Sequence, residues 1–173
     1  MPVKNDHAGA APEVRAIGPE FHDWLLELNA ANVPEVGWMD AAGLGERLAM
    51  PHWLGAAFID GRPVGALLGL RERAPYGSPN YRWFDQRHAS FIYVDRIMID
   101  AAARGTGAGR ALYGAFIREF AAGAPWIFCE VNAVPPNPGS LAFHRRLGFE
   151  PVGRLVHVPG EKEVVMLARS LEG

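Results

Sequence analysis

Arg104-Gly105-Thr106-Gly107-Ala108-Gly109-Arg110 sets three glycines and two arginines between an apolar run and a helical pattern. Glycine lets the backbone approach a ligand closely, and the first N–H groups of a helix have no partner inside it. The helix dipole is positive at that end. Such a turn seats an anion, most often a phosphate or pyrophosphate. A ligand-free connection could have the same glycines; Arg104 and Arg110 add the positive charge that favours a ligand. Two acids, Asp95 and Glu130, stand within otherwise apolar strand patterns. A carboxylate there is costly unless paired or functional, so both are candidate bases. Asp95 beside Arg96 also reads as a structural ion pair, and Glu130 as a residue orienting the connector after it. Tyr93, two residues before Asp95 on the same face, is a further candidate. His144 can give or take a proton near neutrality. It lies at the end of a helical pattern, which raises its pKa, beside Arg145 and Arg146, which lower it.

Two common phosphate binders fit the glycine spacing less well. A P-loop ends in Gly-Lys-Ser/Thr, whereas Gly109 is followed by Arg110-Ala111. A dinucleotide fingerprint needs Gly-x-Gly-x-x-Gly/Ala, and Arg110 occupies the last place. Glu130 does lie where that fingerprint wants its ribose acid. Too little chain follows for the rest of a doubly wound sheet.

The chain has 173 residues, enough for one domain with a sizeable core. Its 49% hydrophobic and 21% charged residues are those of a globular protein. A net charge of −2 gives no reason to expect nucleic acid or an anionic membrane as partner. Cys129 is the single cysteine and lies in an apolar run, so it reads as a buried structural thiol. No metal site is suggested. Met1–Ala11 is polar without a signal-like apolar segment, and no stretch is long enough for a membrane span, so the expected compartment is the cytoplasm.

Residues 1–12 read as a flexible tail. Val14–Ile17 reads as a strand, and a helix opens at Gly18-Pro19 with Phe21, Trp24, Leu25 and Leu28 on its apolar face. Pro34 and Gly37 interrupt it, and a second helix covers Asp40–Ala49. Trp53–Ile59 and Val64–Leu70 form a hairpin through Asp60-Gly61. Residues 72–88 mix turn formers with aromatics and read as an ordered, irregular flap near a site or tucked onto the surface. Phe91–Ile99 is a strand, and a helix runs from the glycine loop to about Ala122. Trp126–Val131 is the next strand. Asn137 caps a helix over 138–147 that Gly148 ends, and a hairpin over 152–168 closes the chain. The order β-α-α-β-β-loop-β-α-β-α-β-β predicts a mixed α/β layer fold.

Arg104-x-x-Gly107-x-Gly109, shortly after a strand ending at Ile99, resembles the signature loop of the GNAT acetyltransferases. Asn137-Pro138-Gly139-Ser140-Leu141-Ala142-Phe143-His144-Arg145-Arg146-Leu147-Gly148-Phe149 resembles their later motif. Asn137, Ser140, Phe143, Gly148 and Phe149 match in register, while His144 stands where the family usually has a tyrosine. The two motifs cover about 89–150. Glu130-Val131-Asn132, Pro135-Pro136-Asn137 and Phe143-His144 mark a resemblance to a bacterial branch.

The resemblance implies a GNAT fold: a mixed, mostly antiparallel sheet of six to seven strands flanked by about four helices. It implies an acetyl-CoA-dependent N-acetyltransferase acting on a primary amine, first of all of a small molecule. A protein or peptide amine, or a non-catalytic acyl-CoA sensor, are the alternatives. Acetyl-CoA would be held by Ile97, Met98, Ile99, Arg104, Gly105, Thr106, Gly107, Ala108, Gly109, Arg110, Asn137, Ser140, Phe143 and His144. A backbone N–H within Ile97–Ile99 would hold the oxyanion. His144 would protonate the departing thiolate or only contact the cofactor, and Asp95 or Glu130 would be the base. The acceptor would lie against Val33, Trp38, Tyr81, Trp83 and Phe84. Family members are often dimers, and the closing hairpin is a plausible pairing edge, so a homodimer is expected.

Overall fold

Asp60 and Gly61 both take positive φ, the two-residue turn that twists with its flanking strands, and the chain reverses there as expected. The structure, a computed structural model, describes residues 9–173; most of the expected tail at 1–12 lies outside the described residues. Among the described residues there are seven strands: β1 (Glu13–Ala16), β2 (His52–Ile59), β3 (Arg62–Arg71), β4 (Ile92–Ile99), β5 (Trp126–Val134), β6 (Glu150–Val158) and β7 (Lys162–Ser170). They form one sheet in the order β1-β2-β3-β4-β5-β7-β6. Five helices flank it: α1 (His22–Ala31), α2 (Ala41–Leu48), α3 (Pro79–Asp85), α4 (Ala108–Phe120) and α5 (Pro138–Arg146). This is the expected mixed, mostly antiparallel fold, with one more helix than anticipated. No described helix is long and apolar enough to cross a membrane.

The extra helix is α3, inside the stretch expected to be irregular. Ser78 caps it, accepting from the Tyr81 N–H at 3.4 Å, and Pro79 occupies its first turn. Tyr81 and Phe84 are fully buried with Phe91, Tyr93 and Phe128, and Trp83 packs at the edge of that cluster. The Tyr81 hydroxyl donates to the Arg71 carbonyl at 2.6 Å and accepts from the Ala74 N–H at 2.9 Å. These aromatics fasten the flap to the sheet.

Leu112 and Phe116 of α4 and Leu141 and Phe143 of α5 cover one face of the sheet. Leu25, Leu28 and Leu44 of α1 and α2 cover the other, over Leu68 and Met98. β4 and β5 are the one parallel pair. They are in register at Ile92–Ile127 and Tyr93–Phe128 and then part. Past that point each strand has an unpaired inner edge, which opens a cleft through the centre of the sheet.

Candidate active site

The cleft leads into a cavity of about 1650 Å³. Its walls are the free halves of β4 and β5, the start of α4, one face of α5, the 32–38 loop and residues 75–80. A cavity this size admits a large ligand along with a second, smaller one.

At one end stands the glycine loop. Gly107 is the N-cap of α4 with φ of 89°, and no side chain caps the helix. Its first N–H groups therefore point into the cavity without a protein acceptor. Gly109 is required for another reason: a Cβ there would come within 2.8 Å of the Phe143 ring, so its absence lets α5 close against α4. Arg104, Arg110 and Arg146 line the same end and are exposed. Uncapped amides and three guanidiniums suit a polyanionic group, and the diphosphate of a coenzyme A nucleotide fits them. Ile97, Ile99, Arg104, Gly105, Gly107, Ala108, Gly109, Arg110, Asn137, Ser140, Phe143 and His144 all line the cavity. Met98 does not, because its side chain is buried under α1 and α2. The Thr106 hydroxyl instead donates to the Ala103 carbonyl at 2.6 Å.

Register explains how β4 presents its backbone. The Asp100 N–H donates to the Val64 carbonyl of β3 at 2.8 Å. Antiparallel alternation then turns the main-chain groups of Met98 toward β3 and those of Ile97 and Ile99 into the cleft. A bulge interrupts this ladder, since Arg96 pairs with Leu68 and Val94 with Gly69, leaving Asp95 as the extra residue. Asp95 and Arg96 consequently share the face of α1 and α2, while Val94 and Ile97 pack toward α4.

The Asp95 carboxylate is fully engaged. It accepts from the Arg47 and Arg96 Nε atoms, each at 2.8 Å, and from the Tyr76 hydroxyl at 2.5 Å. Arg96 also donates to Asn29 Oδ1 at 2.6 Å and to the Gly37 carbonyl at 3.0 Å. Burial alone would push the Asp95 carboxyl up, but Arg96 and Arg47 outweigh it and hold the group below its usual value. Burial raises the Tyr76 phenol, and Asp95 adds to the rise. The network ties α1, α2, β4 and the flap together.

Glu130 is the opposite case. It faces the cavity from β5 and has no ion-pair partner among the described residues. Its oxygens accept from the Tyr93 hydroxyl at 2.8 and 2.9 Å and from Asn80 Nδ2 at 3.0 Å. Burial raises its pKa to about 7, with the nearby Asp95 charge adding to the rise and these two hydrogen bonds restraining it. A carboxylate poised near neutrality inside a cavity can take a proton.

His144 is buried and both nitrogens are occupied. Nδ1 lies 2.7 Å from the Ser140 carbonyl, which only accepts, so Nδ1 carries the proton. Nε2 therefore accepts from the Tyr113 hydroxyl, also at 2.7 Å. Burial lowers the His144 pKa, which keeps the ring neutral. Tyr113 lines the cavity and is the proton-bearing group of this pair.

Val33 and Trp38 stand at the cavity mouth, 40% and 70% exposed. Tyr81, Trp83 and Phe84 do not line it, a correction to the expected acceptor site: their rings are spent on packing α3 against the sheet. Residues 75–80 of the flap line it instead. Arg47, Tyr76, Asn80 and Tyr113 join the site without any local motif to mark them. Asn80 and Tyr76 were within the flap singled out by composition; Arg47 meets Asp95 across 48 positions of sequence, which no local pattern reveals.

A family model for the GNAT acetyltransferase family matches residues 19–149. A sequence search of curated proteins gave no match. Solved structures with the same fold include Ard1 from Thermoplasma volcanium, at 18% identity, 95% of this chain, all of the other and a TM-score of 0.72. Arabidopsis thaliana NAA60 in complex with a bisubstrate analogue matches at 16% identity over 94% of this chain and 99% of the other, with a TM-score of 0.72. The Escherichia coli ribosomal-protein-S18-alanine N-acetyltransferase matches at 13% identity over 92% and 94%, with a TM-score of 0.69. With both signature loops in place and the family match spanning most of the chain, this protein is an acyltransferase belonging to the GNAT acetyltransferase family.

Proposed function

We propose that this chain transfers an acetyl group from acetyl-CoA to a primary amine of a small molecule, with Glu130 as the base. The observation that carries this reading is a cavity-facing carboxylate, with no ion-pair partner among the described residues, beside the point where β4 and β5 part. Bound acetyl-CoA supplies an acetyl group activated as a thioester. The α4 amides, Arg104, Arg110 and Arg146 hold its phosphates, and the free edge of β4 runs beside its arm. The Ile97 N–H, turned into the cleft, is the donor for negative charge on the acetyl oxygen. An amine of ordinary pKa ~10.4 arrives protonated and must lose a proton before it attacks. Glu130 is the group that receives it, directly or through one water. Asp95, held anionic by two arginines and a phenol, serves to shape the strand instead. His144 has no free N–H for the departing sulfur. Tyr113 is the hydroxyl on that wall; burial keeps it a phenol, and its one proton, given to His144 Nε2 in this structure, must leave that bond to reach the sulfur.

Peptide or protein amines are the second reading, favoured by the exposed Val33 and Trp38 at the mouth. A screen settles the class. Thiol release from acetyl-CoA is followed with small aliphatic and aromatic amines and with short peptides of varied N-terminus. A small primary amine is expected to accelerate release. Glu130→Gln should lower kcat/KM by about 10²–10⁴-fold and abolish an inflection near pH 7. A variant that retains both rate and profile contradicts the assignment of the base.

A further inference from the structure

Glu130 is half-buried in the cavity wall. One of its two hydrogen-bonding partners, Asn80, continues to a third element. His157 of β6 lies with Nε2 2.7 Å from Asn80 Oδ1. His157 is also the extra residue of a bulge, since Val156 pairs with Glu163 and Val158 with Lys162. Bulges re-aim side chains, and this one presents His157 to the start of α3.

The chemistry of an amide makes the chain directional. The two ends of Asn80 are nearly equal in size but opposite in hydrogen bonding. When His157 Nε2–H donates to Oδ1, the NH₂ end must face Glu130. Reversed, the amide would set its oxygen against the carboxylate, which only a protonated Glu130 tolerates.

We propose that His157 and Asn80 are positioning residues for Glu130: the imidazole fixes the Asn80 amide so that a donor always faces the carboxylate. This rests on reading Glu130 as the base. Both line the cavity wall, and the role assigned to them is exerted through Glu130 rather than on the reacting atoms. Its effect is to keep the carboxylate available as an anion at neutral pH, against burial and against Asp95 on the neighbouring strand. Tyr93 and Arg96 of β4 act in the same direction as Asn80. Cys129 and Tyr113, the other titratable groups beside Glu130, are held protonated by burial. Burial, then Lys162, lowers the pKa of His157, which favours the neutral ring; in its Nε2–H tautomer that ring is the donor to Asn80 Oδ1.

The test is the titration of Glu130 itself, read by carbon NMR of protein labelled at the glutamate carboxyls and assigned through the signal lost in Glu130→Gln. In the unaltered protein the midpoint should fall at about 7. Asn80→Ala should raise it by about one pH unit, the worth of one hydrogen bond to a charged group, and His157→Leu, which leaves the Asn80 donor in place but unheld, should raise it by a measurable fraction of that. His157→Gln, which retains a donor, should restore it. The acid limb of the kcat/KM profile should follow the same order. A midpoint that His157→Leu leaves unmoved, while Asn80→Ala raises it, overturns the proposal. So does a midpoint that neither variant moves. Because the titration is read without turnover, it is separate from the fate of the base assignment, which the rate of Glu130→Gln decides.

Discussion

Two carboxylates one strand apart are driven in opposite directions, and that contrast separates their roles. The Asp95 side chain is buried with two arginines and stays ionised; Glu130 is half-buried with no ion-pair partner among the described residues, and its pKa is pushed up to about 7. The Glu130 assignment has a consequence for stability. A carboxyl whose folded pKa is raised favours the folded state below its unfolded pKa, and that contribution is lost as pH rises through the folded value. Glu130→Gln removes the dependence. Its stability relative to the unaltered protein should therefore climb between about pH 4.5 and 7 and then level off. Urea denaturation of both proteins at several pH values measures this difference. A difference that stays flat across the window would mean Glu130 titrates normally.

At the level of elements, the site exists because two strands part and one strand bulges. The parting frees the Ile97 backbone; the bulge turns Asp95 and Arg96 onto one face, where Arg47 of α2 and Tyr76 of the flap meet them. Replacing Asp95 by Asn would leave Arg47 and Arg96 without their counter-charge, and removing one partner of a buried pair costs about 3–5 kcal/mol. Asp95→Asn should accordingly lower the denaturation midpoint strongly, while Glu130→Gln does not. The Asp95 contribution is present above the unfolded carboxyl pKa and disappears as pH falls through its depressed folded value, so the two proteins should converge in acid. The glycine loop and the Asn137 cap were readable from sequence because their causes are local: missing side chains, a capping oxygen, a proline at the first turn. Helix α3 had its own signal, Ser78-Pro79, overshadowed by the surrounding turn formers. The bulges in β4 and β6 were not readable, since they arise from pairing between strands distant in sequence. Of the residues expected around the acceptor, Val33 and Trp38 do line the cavity, whereas Tyr81, Trp83 and Phe84 do not: large rings are drawn to the core more strongly than to a cavity wall.

Over the whole molecule the cavity wall carries both signs of charge: Arg104, Arg110 and Arg146 come from the glycine loop, α4 and α5, while Glu35, Glu46, Glu161 and Lys162 come from the 32–38 loop, α2 and the β6–β7 turn. Glycine spacing and chain length had already disfavoured ATP and NAD, and the cleft between β4 and β5 adds a place for an extended arm that neither nucleotide has. The most direct measurement is thermal unfolding of the protein with acetyl-CoA, CoA, ATP and NAD in parallel. Acetyl-CoA or CoA at a hundred times its Kd should stabilise the fold by about 2.7 kcal/mol and raise the midpoint by roughly 5–10 °C. ATP and NAD at equal concentration should leave it nearly unchanged. A midpoint that the CoA species do not move at millimolar concentration would contradict the donor site at the start of α4, and with it the transfer reaction built on that site.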